Sequence, residues 1–388
     1  MSEIKVNSIK GVGASTAAIT VNNTDGTCTA NITNNLSNRR LTINGAMTIA
    51  QRGTSSTSSG YQTVDRFKTN FSGLDNNPTQ AQVDVASGTT PYTQGFRKAI
   101  KITNGNQSSG AGAGDQFSVS YLVEDQDLAT SGWNYLSETS YVTLSFWFKS
   151  SVNQSFYVVI ESKDGSSKQY SFIMTPTAAD TWTKVTHSIK GNSGLQFSND
   201  NGEGIEIYFL LFYGTNQTTS GHTLNTWKAT SASDQAPDMT STWYTTNSAT
   251  WEMTAVQLEV GSVATDFEHR SFAQELALCQ RYFFRTPAFG TGTTSIYLGS
   301  GVEAGSSARI AFIMPQVMRA APTVTAGNLN SDDEQSTTDA STVSAIIAGS
   351  SNCDRMRVQL TGGSYNAGNA VSLVCANANG FLAGDAEL

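Results

Sequence analysis

The run Leu144-Ser145-Phe146-Trp147-Phe148-Lys149 has a period of two. That period puts Leu144, Phe146 and Phe148 on one face of a strand. The run is too apolar for a sheet edge and predicts a central strand. Comparable runs recur at Phe156–Ile160, Tyr170–Met174, Ile205–Phe212 and Met253–Leu258, separated by Gly, Ser, Asn and Thr. Short strands at fairly even spacing between such turns predict a β-sandwich or jelly roll. Thr181–Thr186 reads as a further strand with Trp182 in the core.

Ser271–Arg285 is the one stretch with helical periodicity. Phe272, Leu276, Cys279 and Phe283 fall at i, i+4, i+7 and i+11 and form one apolar stripe. Leu278 and Tyr282 widen it, and Ser271 with Gln274 fits a capping box. One side of so wide a stripe can lie on the sandwich while another meets symmetry mates. Phe272, Leu276, Cys279 and Phe283 are therefore the trimer-interface candidates.

Before Asn38 the pattern thins. Ile4, Val6, Ile9, Ile19, Val21 and Ile32 are isolated apolar points among Thr, Asn and Gly. So few apolar groups do not offset the ordering entropy of a lone chain. The alternation at Ile4–Ile9 and Ala17–Val21 predicts an intertwined β stalk shared by three copies. After the helix, alternation returns at Ser295–Leu298, Ala308–Ile313, Thr323–Thr325, Met356–Leu360 and Ala370–Val374, and the acidic stretch Asn328–Ser341 reads as a long exposed loop. The expected organisation is all-β: a stalk and attachment segment over 1–37, a jelly roll over 38–270, a linking helix over 271–285, and a C-terminal β-sandwich over 286–388.

Composition narrows the function classes. Charged residues make up only 14% of the 388 residues, and the formal net charge is -8. That balance disfavours tracking nucleic-acid phosphates, which needs clustered Lys and Arg, and gives no support for binding an anionic membrane. The N-terminus has no apolar signal core, and no run has the length of a transmembrane helix. Cys28, Cys279, Cys353 and Cys375 form no C-x-x-C pair. Free buried thiols are expected, with a Cys353–Cys375 bridge as the alternative.

Several runs resemble bacteriophage tail-fibre and related virion proteins. They are Asn38-Arg39-Arg40-Leu41 through Ala50-Gln51-Arg52-Gly53, Val64-Asp65-Arg66-Phe67 and Thr143–Ser150. The most distinctive is Val256-Gln257-Leu258-Glu259-Val260-Gly261-Ser262-Val263-Ala264-Thr265-Asp266-Phe267-Glu268-His269-Arg270, continuing into Glu275–Tyr282. The resemblance covers about 38–285. It implies a jelly roll like those of carbohydrate-binding modules, in a homotrimeric appendage that contacts host-surface glycan. It also implies other tail or virion proteins as partners of the N-terminal segment, and a virion location after synthesis in the host cytoplasm.

Candidate chemistry is sparse. His187, His222 and His269 have no nucleophile elbow nearby and no metal spacing. Glu124, Asp125 and Asp127 are the densest carboxylates before the helix, but nothing in the pattern places them across a cleft. No catalytic residues and no obligatory cofactor are expected. Asn199-Asp200-Asn201-Gly202-Glu203 is an oxygen-rich turn, with Asp200 and Glu203 as the candidates for a structural calcium, although a solvated turn explains it as well. Sugar binding needs aromatic faces beside short polar groups. Trp133, Tyr135, Trp227, Trp243 and Tyr244 lie outside obvious strands and are the expected exposed glycan contacts. Trp147, Trp182 and Trp251 are assigned to the core or the sheet surface. The expected function is a non-catalytic tail-fibre or receptor-binding protein. The alternatives are a purely structural head fibre or tail adaptor, and a tailspike glycan hydrolase.

Overall fold

The computed structural model describes residues 7–10, 12, 19–21, 28–30, 39–286, 297–332, 342–347, 353–361, 365–377 and 379–388. Near the N-terminus, β1 (Ser8–Ile9), β2 (Ile19–Val21) and β3 (Cys28–Ala30) form an antiparallel sheet within one chain. Ile4, Val6 and Ile32, on which the stalk expectation also rested, lie outside the described residues.

A jelly-roll sandwich follows. Its strands are β4 (Ser55–Ser56), β5 (Phe67–Ser72), β6 (Thr79–Asp84), β7 (Lys98–Thr103), β8 (Gln116–Glu124), β9 (Tyr141–Ser150), β10 (Phe156–Ser162), β11 (Lys168–Met174), β12 (Thr183–Lys190), β13 (Glu203–Tyr213), β14 (Lys228–Ala229) and β15 (Thr250–Val260). They form two six-stranded sheets ordered β14-β11-β10-β13-β8-β5 and β12-β9-β15-β7-β6-β4. The central β9 sends Leu144, Phe146 and Phe148 inward, all fully buried. Phe146 meets Phe209 of the facing sheet edge-on at 5.1 Å, and Trp251 joins the same core. Three short helices, α1 (Thr90–Thr93), α2 (Asp125–Ala129) and α3 (Thr242–Thr245), sit in the connections. A bulge in β15 between Thr254 and Gln257 sets Ala255 at φ 60°. It turns Ala255 to the outer face of its sheet and Val256 into the core.

Helix α4 spans Phe272–Gln280 and begins with the expected Ser271–Gln274 capping box. It stops earlier than predicted. Phe283 instead starts β16 (Phe283–Thr286), paired with β24 (Phe381–Asp385). Two interface candidates are thereby corrected. Cys279 is buried against Ile43, Ile49 and Tyr282 of its own chain, and Phe283 lies under the Arg52 guanidinium at 3.6 Å. Leu276 is half-buried in the same intrachain cluster, while Phe272 is 53% exposed. The stripe is therefore largely covered within one chain, because the strand after the helix folds back over its end.

The runs that resemble phage proteins meet around this helix. Arg40 pairs with Glu275, which also accepts the Asn44 amide. Gln51 bridges Asp65 and the Phe283 carbonyl at 2.6 and 2.8 Å. Glu124 accepts from Arg281 at 2.6 Å and from the Tyr282 hydroxyl at 2.7 Å. Arg66 lies 3.4 Å over the Tyr282 ring and pairs with Glu387, while Arg52 reaches Asp385 at 2.9 Å and Glu387 at 3.3 Å. Arg40, Arg66, Asp65, Glu124, Glu275 and Glu387 are enclosed and each has a partner, as burial of charge requires, while Asp385 and Arg281 lie nearer solvent.

The C-terminal module has strands β17 (Tyr297–Glu303), β18 (Ser307–Ile313), β19 (Thr323–Gly327), β20 (Leu329–Asp332), β21 (Thr342–Ile347), β22 (Arg355–Thr361) and β23 (Ala370–Cys375), besides β16 and β24. Its two sheets are ordered β16-β24-β19 and β20-β23-β17-β18-β22-β21. The expected exposed loop from Asn328 is corrected at its start. β20 pairs with β23 and buries Leu329 and Ser331, and residues 333–341 lie outside the described ones. Cys279, Cys353 and Cys375 are free thiols.

Candidate ligand cleft

Two cross-strand rows build the site on the outer face of the second sheet. In the first, Lys101 and Lys149 flank Glu252 at 3.8 and 3.1 Å, and the Lys149 ammonium lies 5.3 Å over the Trp182 ring. In the second, Trp147 stands between Thr254 and Lys184. Period two therefore gives β9 two faces: Phe146 and Phe148 inward, Trp147 and Lys149 outward. Trp182 and Trp147 share the outer apolar cluster with Phe96, Ala99, Ala255 and Phe267. Of the two places expected for Trp182, core or sheet surface, it takes the second. It is partly exposed on the sheet's solvent side.

Two loops wall this floor. The loop after α1 carries Gln94, whose side-chain oxygen accepts the Trp147 indole N–H at 3.0 Å. The segment after β15 carries Phe267 and His269, which pack on Phe96 at 4.9 and 5.0 Å. His269 Nε2 donates to the Gln94 carbonyl at 3.0 Å and ties the walls together. Gly95 is required between them: its φ is 97°, and a Cβ there would sit 3.2 Å from the His269 ring. The enclosed space is about 340 Å³, with Ser145, Trp147, Lys184 and Ala255 on its floor and Gln94, Thr265, Asp266 and His269 at its rim.

The aromatics expected to be exposed are not. Trp133 is 3%, Trp227 8%, Trp243 0% and Tyr244 1% exposed. Tyr135 is half-buried, edge-on to Phe197 at 4.6 Å. The loops that carry them fold over the ends of the sandwich and use them as plugs. Trp227 donates to the Lys190 carbonyl at 2.7 Å, Trp243 to Thr250 at 3.0 Å and Tyr244 to Asp115 at 2.9 Å. Trp133, Trp227, Trp243 and Tyr244 offer no ring face to solvent. The signal that marks the outer-face pair instead is the polar company on that face: Ser145, Lys149 and Lys184 are neighbours of Trp147 and Trp182.

Asp200 does not converge with Glu203 on an ion. Its Oδ1 accepts the Gly202 amide at 2.7 Å, closing a local turn, and Glu203 is exposed. Among the described residues, no group of three or more His, Cys, Asp or Glu is gathered as a metal site.

One arrangement is invisible in the sequence. Ser171 Oγ lies 2.5 Å from His222 Nε2, and His222 Nδ1 lies 2.7 Å from Asp234. Lys228 also pairs with Asp234 at 2.6 Å. The atom order is that of a hydrolase triad. However, Ser171 is 1% exposed and the His222 side chain is wholly covered, so no substrate reaches the hydroxyl. The set fastens the 214–239 loop onto the outer face of the first sheet.

Comparison with known proteins gives loose likenesses. No family model matches, and no curated protein matches. Among solved structures, the enzymatically active domain of bacteriophage CBA120 tailspike protein 4 matches at 9% identity and TM-score 0.31, over 57% of this chain and 21% of that one. The chain thus spans about a fifth of that tailspike structure. The family 11 carbohydrate-binding module of Clostridium thermocellum Lic26A-Cel5E matches at 12% identity and TM-score 0.26, over 56% of this chain and 98% of the module. The N-terminal cellulose-binding domain of Cellulomonas fimi β-1,4-glucanase C matches at 10% identity and TM-score 0.26, over 55% and 98%.

Proposed function

We propose that this chain is a non-catalytic phage appendage protein, a tail-fibre or receptor-binding component, that holds host-surface glycan in the Trp147 cleft. The observation that carries the reading is the floor of the cleft, where the edge of Trp147, 9% exposed, lies beside Ser145 and Lys184, with the half-buried Trp182 in the same outer-face cluster. A pyranose packs its C–H face on indole, while ammonium, hydroxyl and amide groups bind its hydroxyls. A volume of about 340 Å³ is at the small end of ligand pockets. It suits one or two sugar rings, hence a chain end or a side branch rather than a long stretch of polymer. Each contact is weak, and three copies in a homotrimer would gain through avidity. The resemblance of the 38–285 runs to phage tail-fibre proteins supports the virion setting.

The test is adsorption of purified protein to host cells and to isolated surface polysaccharide. Wild type is compared with Trp182→Ala and Lys184→Ala, each first shown to melt like wild type. Loss of adsorption in both variants is expected. Folded variants that adsorb normally would remove the cleft from recognition. A wild type that does not adsorb would favour the structural-appendage alternative, and release of reducing sugar would favour a hydrolase.

A further inference from the structure

A second feature lies on the outer face of the six-stranded sheet of the C-terminal module. Alternation along β18 buries Ala308, Ile310 and Phe312 and turns Arg309, Ala311 and Ile313 outward. β22 does the same, burying Met356 and Val358 and turning Arg355 and Arg357 outward. Both strands are interior to the sheet, and Val302 of β17 stands opposite Arg309. The face is uncovered, with Val302 53% and Ile313 80% exposed. The register gathers the cations. Arg309 is opposite Gln359 and Arg357 is opposite Ala311, so the two arginines are diagonal neighbours, about 7–8 Å apart at the backbone. Arg355 stands on the same strand as Arg357, about 7 Å along it. Arg355 pairs with Asp354 at 3.1 Å. Arg309 and Arg357 have no hydrogen bond, ion pair or ring contact among the described residues. The other arginines each have one, as Arg97 does over the Tyr92 ring at 4.0 Å and Arg285 over the Phe381 ring at 5.0 Å.

Like charges this close on one sheet face are destabilising. On a chain of net charge -8 such a patch is no by-product of a basic composition. We propose that this face binds an anionic polysaccharide of the host surface, its phosphate or carboxylate groups held in the guanidinium forks of Arg309 and Arg357. Two parallel N–H donors match either group, and Arg355 adds positive charge beside them. The face also selects the kind of polymer. It is open where the Trp147 cleft is enclosed, so it suits an extended chain and not a chain end. Val302, Ala311 and Ile313 give the sugar carbons aliphatic surface between the acidic groups. β18 and β22 present no aromatic on this face for a base to stack on, and the overall charge repels nucleic acid. The host as source rests on the proposed adsorption. Affinity for the polymer does not, so the two fail separately.

The test is retention of the full chain on immobilised polygalacturonate, which carries carboxylates, and on immobilised phosphomannan, which carries phosphodiesters. Neutral dextran and duplex DNA are the comparisons. At low salt the chain should be held by at least one of the two anionic polysaccharides and not by dextran; the stronger of the two identifies the acidic group. Affinity should fall by more than about tenfold for a tenfold rise in salt, as two or three neutralised anions require. Arg309→Ser and Arg357→Ser together should weaken binding by at least about tenfold. Neither side chain has a partner to lose, so the variant should melt like wild type; each change is also made singly, and variants that melt like wild type are scored. Arg97→Ser, which removes a charge from the jelly roll, should bind like wild type, and so should Trp182→Ala. Equal binding by wild type and the folded serine variants would overturn the assignment, as would equal retention of wild type on dextran and on both anionic polymers. Tighter binding to the DNA than to either polysaccharide would make the partner a nucleic acid instead. A lower light-scattering mass for the serine variants would make the face a contact between copies instead.

Discussion

Trp133→Ala separates the buried plugs from the ligand cleft. Trp133 packs among Val142, Ile160, Ile189, Ile205, Ile207, Trp227 and Leu258, around a void of only about 10 Å³. Its indole nitrogen is buried without a partner, so truncation removes no hydrogen bond and the effect is one of packing. Trp227 is fixed by its bond to Lys190 and does not readily collapse into the hole. Removing a large aromatic from such a site costs about 3–5 kcal/mol. For a domain of this size, each kcal/mol shifts the melting point by about 2–4 °C, so a fall of about 6–20 °C is expected. Differential scanning calorimetry of the purified chain reads it directly. A variant that melts with wild type yet fails to adsorb to host cells would refute the reasoning, because Trp133 would then be a surface platform.

Further outcomes follow from the same packing. Phe146→Ala should lower stability by about 3–5 kcal/mol in denaturant melts without selectively weakening glycan adsorption. Glu275→Ala leaves the Arg40 guanidinium buried without its carboxylate, which costs about 3–5 kcal/mol; hydrogen exchange should show α4 loosening first. His187 stacks on Phe172 at 4.0 Å, and burial holds its pKa below the ordinary histidine value. Its contribution to stability is present above about pH 6.5 and is lost as pH falls through the histidine range, so His187→Phe should flatten that limb of a melting-temperature profile. Light scattering on the purified chain should give the mass of three chains; a monomer at micromolar concentration would count against the homotrimer.

The sandwich was legible because period-two alternation is a local signal: Leu144, Phe146 and Phe148 point where the pattern says they do. The capping box of α4 was legible for the same reason. The end of α4 was not, because the Phe283 pairing with Asp385 is made across about a hundred residues. The contact of Arg40 with Glu275, 235 positions away, was equally beyond a local pattern. The exposure expected of Trp133, Trp227, Trp243 and Tyr244 fails because a position outside a strand is not thereby at the surface. Loops that close the ends of a sandwich carry the largest plugs, as Trp243 and Tyr244 show. Trp147 is on the sheet's outer face, but only the register with Lys184 shows which polar neighbour shares that face with it.

The return of residues 385–387 to the jelly roll has a mechanical consequence. Arg52 and Arg66 grip Asp385 and Glu387, and Arg319 donates to the Ala386 and Glu387 carbonyls at 2.9 and 3.0 Å. Arg281 and Tyr282, at the start of the module, are held by Glu124. Both ends of the C-terminal module are therefore moored to the same sandwich, a few residues apart in space. A load applied to either module passes through several charged contacts in parallel and not along a single linker. The junction should behave as a stiff joint, so that an appendage pulled at one end would keep the orientation of its clefts until these ion pairs give way together.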